Sequence, residues 1–269
     1  MTNQNDGRWA LPDIEEAMKW LAYRNQQGIA VALDALGEYA QNSVQATENL
    51  TGYRNCLLAL PPVSDKAAVA IKLSALGLNF DAALAEKNLQ NLLELARNRD
   101  NLIEIDIEGT PAVEATVAMA CKFSASGFNL VLALQAYLDR TDADISRALD
   151  CGLKIRLVKG AYRGDTDDFT EIQGRFFSCF KKLLATGRPF DVGTHDPILI
   201  EQMKTATTDR SQVCFGFLKG LADQTKLNLA ESGFGVSEYV PYGANRRAYV
   251  ARRQTYLKNL EKAGLTPAP

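Results

Sequence analysis

Short apolar runs alternate with helix-like stretches along most of the chain, and this alternation limits the possible folds more than any other feature of the sequence. Several of the runs are apolar at nearly every position, which is typical of parallel strands that are buried on both faces. Strands are predicted at residues 29–33, 69–73, 102–107, 129–135, 154–158, 190–193, 213–218 and 237–240. The pattern therefore indicates an α/β protein with a mostly parallel sheet.

Helix-like segments separate and follow these runs. Helices are predicted at residues 81–97, 111–126, 142–151, 174–186, 197–207, 222–232 and 244–262, with an extra helix within residues 1–27. Thr110 and Asp196 each precede a proline, and we expect each of them to cap the helix that follows.

Eight strands that alternate with helices favour a (β/α)8 barrel of the TIM type. An open, doubly wound sheet is the alternative, because periodicity does not show whether a sheet closes. No stretch of the chain is long enough to serve as a linker to a second domain. We therefore predict an N-terminal helical extension over residues 1–27 and one barrel domain over residues 28–269.

Composition and charge argue against several other classes of protein. The net charge of -2 gives no sign of a nucleic-acid partner, although residues 246–262 are locally basic. The chain lacks a long apolar run, and its polar start lacks a signal-peptide pattern, so we expect neither a membrane span nor secretion. The five cysteines are widely spaced and His195 is the single histidine, so we expect reduced thiols, no bound metal and a cytoplasmic protein.

Polar and charged side chains recur where the predicted strands end, and the carboxyl ends of the strands carry the active site in barrel enzymes. A buried charge is costly unless it is paired or bound to a ligand. One such residue could belong to a structural ion pair, whereas a full ring of them indicates a ligand site. The ring comprises Asp34, Glu38, Lys72, Asp106, Glu108, Gln135, Tyr137, Arg156, Lys159, Thr194, His195, Leu218 and Tyr239.

The last predicted helix carries two adjacent arginines beside tyrosines. Tyr249, Arg252, Arg253 and Tyr256 fall on one face at a helical period. Each guanidinium offers a planar fork of donors, so the pair could clamp a small carboxylate. The alternative is a solvated helix end whose arginines only compensate the helix dipole.

The segment from Arg156 to Tyr162 is a predicted strand followed by a turn of small residues, with a second cation at Lys159. Such a turn can approach a phosphate or an aromatic ring system closely, although it could also be a plain strand end. The chain lacks the Gly-x-Ser-x-Gly, Gly-x-Gly-x-x-Gly and P-loop patterns. A Schiff-base or phosphate-binding lyase with Lys72 or Lys159 as nucleophile is a further alternative.

Taken in chain order, these motifs resemble those of the FAD-dependent proline dehydrogenases, particularly the stand-alone bacterial type. The matching segments are LDALGE at 33–38, IKLSALG at 71–77, IDIE at 105–108, LQAY at 134–137, IRLVKGAY at 155–162, GTH at 193–195, YVPYG at 239–243 and YVARR at 249–253. Any one of them is a modest signal, whereas the ordered set is highly specific. The resemblance implies a distorted (β/α)8 barrel that binds FAD at the carboxyl ends of its strands.

The resemblance also implies a substrate and the residues that bind it. The family oxidises L-proline to Δ1-pyrroline-5-carboxylate. The catalytic set carried over by position is Lys72, Asp106, Leu218, Tyr239, Tyr249, Arg252 and Arg253. Its cations would hold the substrate carboxylate, its tyrosines and Leu218 would enclose the ring, and Asp106 would orient the Tyr239 hydroxyl.

The implied FAD site lies on the fourth to sixth strands. Arg156 would lie against flavin N5, and Gln135 against the pyrimidine edge. The other implied cofactor-binding residues are Val158, Lys159, Gly160, Ala161, Tyr162, Thr194 and His195. Electrons would pass to a quinone or another acceptor. The basic helix at residues 244–262 could approach an anionic bilayer at the inner membrane face, and the alternative is that its basic side chains form a solvated face. The sequence does not predict an oligomeric state.

The chain departs from the family pattern at three positions near the implied cofactor site. Tyr256 stands where relatives carry Glu, and Cys214 and Gly216 stand where they carry Glu and Gln. Two alternatives follow from these differences. The substrate could be a related cyclic amine, such as hydroxyproline or a proline analogue, or the barrel could bind flavin without turning over proline.

Overall fold

Eight parallel strands close into a barrel in chain order, which confirms the predicted (β/α)8 fold class. The computed structural model describes residues 6–64, 66–162, 164–244 and 246–262, without the side chains of residues 6, 248, 256, 259, 260 and 262. The strands are β1 (Ala30–Ala35), β2 (Ala67–Ile71), β3 (Leu102–Ile105), β4 (Leu130–Gln135), β5 (Lys154–Val158), β6 (Phe190–Gly193), β7 (Val213–Leu218) and β8 (Gly235–Tyr242). Pairing of β1 with β8 closes the sheet, in a register that runs from Ala30 opposite Ser237 to Ala35 opposite Tyr242.

Helices surround this barrel. They are α1 (Asp6–Trp9), α2 (Ile14–Gln26), α3 (Ser43–Ala59), α4 (Ala82–Arg99), α5 (Thr110–Ala125), α6 (Thr141–Asp150), α7 (Phe169–Leu184), α8 (Pro197–Ala206), α9 (Asp223–Glu231) and α10 (Arg247–Lys262). Asp196 caps α8 as predicted, because its carboxylate accepts hydrogen bonds from the backbone N–H groups of Ile198 and Leu199.

Some predicted boundaries were wrong. β2 ends at Ile71, because residues Leu73–Leu76 form a buried 3-10 turn. The Glu108 carboxylate holds this turn by accepting hydrogen bonds from the backbone N–H and the hydroxyl of Ser74. The predicted cap at Thr110 was also wrong, since α5 begins at Thr110 itself and its capping position is Gly109. The prediction for residues 1–27 named one helix, and the structure has two, α1 and α2.

The helix α3 was not predicted from the sequence. This helix begins after Asn42, whose side chain accepts a hydrogen bond from the Gln45 backbone N–H. Its buried residues are Ala46, Tyr53, Cys56 and Leu57, among 17 residues of mixed polarity. Because only a narrow stripe of α3 is buried, its sequence shows little helical periodicity of apolar residues. The helix is stabilised mainly by tertiary packing.

Side chains alternate between the two faces of every strand. Apolar residues such as Leu33, Ile71 and Leu132 are fully buried on the faces that meet the helices. Small or charged residues, among them Arg156 and Gly216, point into the barrel. The main hydrophobic core therefore lies between the sheet and the helices, and the barrel interior keeps room and charge for a site.

The helix after β8 does not cover the outside of the barrel in the usual way. Instead α2 packs against β1 and β8. Its Arg24, which is 3% exposed, forms an ion pair with the fully buried Glu238 of β8. Lys226 of α9 completes the cluster, with its Nζ 3.4 Å from the Glu238 carboxylate. These contacts hold α2 against the outer face of the barrel.

Candidate active site

A cavity of about 530 Å³ lies between the carboxyl ends of the strands and α10. Its volume falls within the range of roughly 300–1,000 Å³ that is typical of small-molecule sites. The residues predicted to bind the substrate or the cofactor all line it: Lys72, Asp106, Gln135, Arg156, Val158, Lys159, Gly160, Ala161, Tyr162, Thr194, His195, Leu218, Tyr239, Tyr249, Arg252 and Arg253. The other members of the predicted ring do not line the cavity, namely Asp34, Glu38, Glu108 and Tyr137. The structure brings these residues together, while their individual roles stay predictions.

The cavity has further lining residues that the sequence analysis did not assign to the site. They are Ile107, Ala133, Gly193, Gly216, Phe217, Ser237, Ala251 and Thr255. Gly216 and Ser237 lie two residues before Leu218 and Tyr239 on the inward faces of β7 and β8. Two-residue periodicity along each strand is the signal that could have found them, and their small side chains deepen the cavity towards the barrel core.

A buried ionic cluster surrounds Lys72, directly after β2. Its Nζ donates to the Asp34 carboxylate at 2.9 Å and to the Tyr239 hydroxyl at 3.1 Å, and it lies 3.1 Å from an Asp106 oxygen. Burial alone would lower the pKa of Lys72, but Asp34 and then Tyr239 and Asp106 raise it well above its ordinary value. Lys72 is therefore a fixed cation. Asp34, which belongs to the predicted ring but had no individual role in it, supports Lys72 from β1.

Tyr239 joins this cluster from β8, which pairs with β1 on the side away from β2. Its hydroxyl donates to Asp106 at 2.5 Å, which is the contact that the family resemblance implies. Burial, and then the Asp106 charge, raises the pKa of Tyr239 well above its ordinary value. The phenol consequently stays protonated and keeps a fixed direction at the wall of the cavity.

Five described residues of α10 line the cavity, and three of them, Tyr249, Arg252 and Arg253, are those that the helical period predicts. The Tyr249 hydroxyl is buried, and no described residue hydrogen-bonds to it. Burial raises the pKa of Tyr249 to about 12. Arg252 donates to the Glu38 carboxylate at 2.7 Å, whereas Arg253 is 9% exposed. The Tyr256 side chain lies outside the described residues, so its predicted place on this face is untested.

Arg156 of β5 forms the floor of the cavity. Its guanidinium makes a bidentate ion pair with Glu104 and lies 3.6 Å from Asp191. The pairing outweighs burial and raises the pKa of Arg156 above its ordinary value. No described residue hydrogen-bonds to the buried Arg156 Nε, which lies beside Gly216. An unpaired buried donor is costly, so this atom is suited to a ligand acceptor.

Lys159 and His195 lie on the side of the cavity formed by β5, β6 and the segments after them. The Lys159 ammonium donates to Asp196 at 2.6 Å, and Gln173 donates to the same oxygen at 2.6 Å. Burial lowers the pKa of Lys159, although Asp196 opposes this change. His195 Nε2 accepts a hydrogen bond from the Leu218 backbone N–H at 3.0 Å, so the imidazole is neutral.

No group of three or more His, Cys, Asp or Glu side chains within the described residues could hold a metal ion. None of the helices in the same part of the chain is long and apolar enough to cross a membrane.

The fold and the cavity define the class: a (β/α)8 barrel with a ligand-sized, charged cavity at the carboxyl ends of its strands, where barrel enzymes carry their active sites. A family model described as proline dehydrogenase matches residues 17–196. The chain belongs to the proline dehydrogenase family.

Curated relatives extend this similarity over most of the chain. Proline dehydrogenase 1 of Bacillus subtilis subsp. natto is 30% identical over 248 residues, which cover 89% of this chain and 82% of the relative. Proline dehydrogenase of Deinococcus radiodurans is 28% identical over 255 residues, with the same two coverages.

Solved structures support the fold. Proline utilization A (PutA) from Bdellovibrio bacteriovorus superimposes with a TM-score of 0.81 at 17% identity and covers 92% of this chain. A bifunctional PutA protein superimposes with a TM-score of 0.78 at 24% identity over 93% of this chain. This chain spans only about a third of their length, 32% and 30%.

Proposed function

We propose that the protein oxidises L-proline to Δ1-pyrroline-5-carboxylate, in the first step of proline catabolism, with FAD as the hydride acceptor. The observation that carries this proposal is one cavity, in a chain of this family, with Lys72 and Tyr239 on one wall and Arg252 and Arg253 on another. Two curated relatives that are similar over most of the chain are named proline dehydrogenases.

The residues on the floor and one side of the cavity fit FAD. The buried Nε of Arg156 lacks a described partner beside Gly216, and so offers a donor to a ring acceptor. Gly193 of β6 and Gly216 of β7 line the cavity and have no side chains. A planar ring system can therefore lie close to the backbone of these two strands. Lys159, a cation on this side of the cavity, suits the phosphates. When bound, FAD would supply the acceptor for the hydride and its two electrons.

The arginines of α10 are the best donors for the substrate carboxylate. Lys72 already directs its donors at Asp34 and Tyr239, with Asp106 at ion-pair distance, so we propose that it acts mainly through its charge. Arg252 and Arg253 line the cavity, and each guanidinium offers a planar fork of donors that matches a carboxylate. Their fixed positive field also favours the neutral form of the proline amine, whose lone pair must assist hydride departure.

The remaining residues would hold the pyrrolidine ring. We propose that Tyr239, Tyr249 and Leu218 enclose it, and that Asp106 keeps the Tyr239 phenol in place through their 2.5 Å hydrogen bond. The protein's main task would be to place C5 of proline next to the hydride acceptor. Because the amine is already neutral, the reaction requires no strong base. The neutral, hydrogen-bonded state of His195 is consistent with such a mechanism.

A Schiff-base lyase is a poorer fit to the same cavity. A nucleophilic lysine must lose its proton, yet Lys72 is held as an ammonium by Asp34 and its pKa is raised well above the ordinary value. Lys159 has a lowered pKa but is paired with Asp196 at 2.6 Å. Borohydride trapping with a carbonyl substrate would reveal a lyase, and we expect no trapped adduct.

The decisive experiment is a flavin absorption spectrum before and after anaerobic addition of L-proline. We expect a yellow protein that bleaches. A colourless protein that gains no activity with added FAD would refute the proposal, and bound flavin that no proline analogue reduces would indicate a binding protein. Comparing kcat/KM for L-proline, hydroxyproline and larger cyclic amines tests the substrate preference.

Variants of two arginines test the carboxylate clamp. Arg253→Met should raise KM for L-proline by about 10- to 100-fold, because a charged hydrogen-bonded contact is lost. The control is Arg147→Met on the surface helix α6, where Arg147 pairs with Glu114 at 2.8 Å. An unchanged KM in Arg253→Met would exclude the clamp.

We also propose that residues 28–269 form the catalytic barrel, with residues 1–27 as its N-terminal extension. The electron acceptor would be a quinone or another carrier, and basic α10 would bring the protein to the inner membrane face. Sedimentation with anionic and neutral lipid vesicles tests the last point. Equal recovery with both vesicle types would contradict it.

A further inference from the structure

Tyr137, two residues after β4, lies behind the cavity wall and is itself buried at 4% exposure. Its hydroxyl donates to the Gln135 side-chain oxygen at 2.5 Å and accepts from the Tyr162 backbone N–H at 2.9 Å. Gln135 and Tyr162 both line the cavity, whereas Tyr137 does not. One phenol therefore connects the two segments proposed above to bind the cofactor.

Glycines make room for the Tyr137 ring. A Cβ atom at Gly160 would lie 1.5 Å from a ring carbon of Tyr137, and one at Gly164 would lie 2.4 Å from another. Gly160 also has a φ of +134°, which side chains rarely adopt. The backbone adds contacts, since Tyr137 N–H donates to the Lys159 carbonyl at 3.2 Å. The Tyr137 ring thus packs against Gly160 and Gly164 and supports the backbone there.

The phenol also fixes the orientation of the Gln135 amide. Gln135 Nε2 donates to the Glu108 carbonyl at 2.9 Å, while its Oε1 accepts from Tyr137. The flipped amide would set two oxygens against each other at Glu108, so only one orientation satisfies both neighbours. One hydrogen of Nε2 remains for a ligand, and it suits a carbonyl acceptor.

We propose that Tyr137 is a positioning residue for the cofactor: it holds the Lys159–Tyr162 segment in its binding conformation and keeps an N–H donor of Gln135 available to a ring carbonyl. This inference rests on the proposed function, because the ligand in question is a flavin. Tyr137 acts through Gln135 and Tyr162 and touches no reacting atom.

Tyr137→Phe is the central variant, because it removes the hydroxyl and keeps the ring under Gly160. In protein stripped of flavin, we expect the Tyr162 amide hydrogen to exchange about tenfold faster, since it loses its acceptor. We also expect the Kd for FAD, measured by fluorescence quenching, to rise about tenfold. Tyr23→Phe is the matched control, because Tyr23 is exposed and its hydroxyl accepts a surface hydrogen bond from Gln27; neither quantity should change in it.

A double-mutant cycle with Gln135→Met separates positioning from general destabilisation. If Tyr137 acts on FAD through the Gln135 amide, the double variant should bind FAD no more than about twofold more weakly than the weaker-binding single variant. Fully multiplicative losses would overturn the Gln135 part. Unchanged Tyr162 exchange together with unchanged FAD affinity would overturn the whole inference. A wild-type protein that binds no flavin would instead refute the proposed function, and the exchange measurement would still test the support of the Lys159–Tyr162 segment.

Discussion

His195 is the single histidine of the chain, and it is buried. Burial of its imidazole makes the free energy of unfolding depend on pH. Nε2 accepts a hydrogen bond from the Leu218 N–H at 3.0 Å, and protonation of Nε2 would break that bond. Burial first, and then the positive charges of Arg253, Lys226 and Lys159, lower the pKa of His195 to about 3. Folded protein therefore keeps the ring neutral at every ordinary pH.

The unfolded chain titrates this imidazole near its ordinary pKa of 6.5. Below that value the unfolded state binds a proton that the folded state does not, so acid favours unfolding. The contribution of His195 to stability is complete above about pH 7 and is lost progressively as the pH falls towards 3. At about pH 5 the loss amounts to about 2 kcal/mol, since the pH lies about 1.5 units below the unfolded pKa.

Urea unfolding of the wild type and of His195→Gln at about pH 8 and about pH 5 measures this loss. Glutamine can still accept from the Leu218 N–H but does not titrate, so the variant should lose about 2 kcal/mol less than the wild type between the two pH values. Buried carboxyl groups such as Glu104 titrate in both proteins and cancel in the difference. Equal losses, or an imidazole NMR signal that titrates near pH 6.5 in folded protein, would refute the reasoning.

Three further substitutions test other parts of the molecule. Arg24→Met should lower the free energy of unfolding by about 3 kcal/mol, because it leaves Glu238 buried with one weaker partner; a change below about 1 kcal/mol in urea unfolding would contradict this. Gly174→Ala should raise it by about 0.5–1 kcal/mol, since Gly174 lies mid-helix in α7 and a Cβ there meets nothing within 4 Å; a lower midpoint would count against it. Tyr239→Phe should reduce kcat/KM for L-proline by about tenfold through loss of the contact with Asp106, with stability little changed; unaltered steady-state kinetics would be the contrary result.

The strands were the easiest elements to predict from the sequence. β5, β6 and β7 have the predicted bounds, because each is a compact run of residues enclosed by polar or glycine-containing segments. The ends of β2 and β8 were less predictable. Apolar residues continue past β2 into the 3-10 turn. β8 extends to Tyr242, where it pairs with both Ala35 of β1 and Leu11 from distant parts of the chain. Such a distant partner leaves no mark on the local sequence.

The membership of the site was also predictable, because barrel closure brings all the carboxyl ends of the strands to one rim. The pairing within the site was not. Whether Lys72 meets Asp34 or a ligand depends on strand register and side-chain rotamers, which the sequence pattern does not encode. The same holds for the contact of Arg252 with Glu38, which joins α10 to the segment after β1.

The place of α10 follows from the N-terminal segment. Leu11 N–H donates to the Pro241 carbonyl at 2.8 Å, and Gly243 N–H donates to the Leu11 carbonyl at 3.0 Å. Leu11 thus fixes the end of β8 where the chain turns towards α10. Because α2 already covers β1 and β8, α10 needs no broad apolar stripe against the barrel wall. Its polar face can then meet the strand ends, where Tyr249 and both arginines line the cavity.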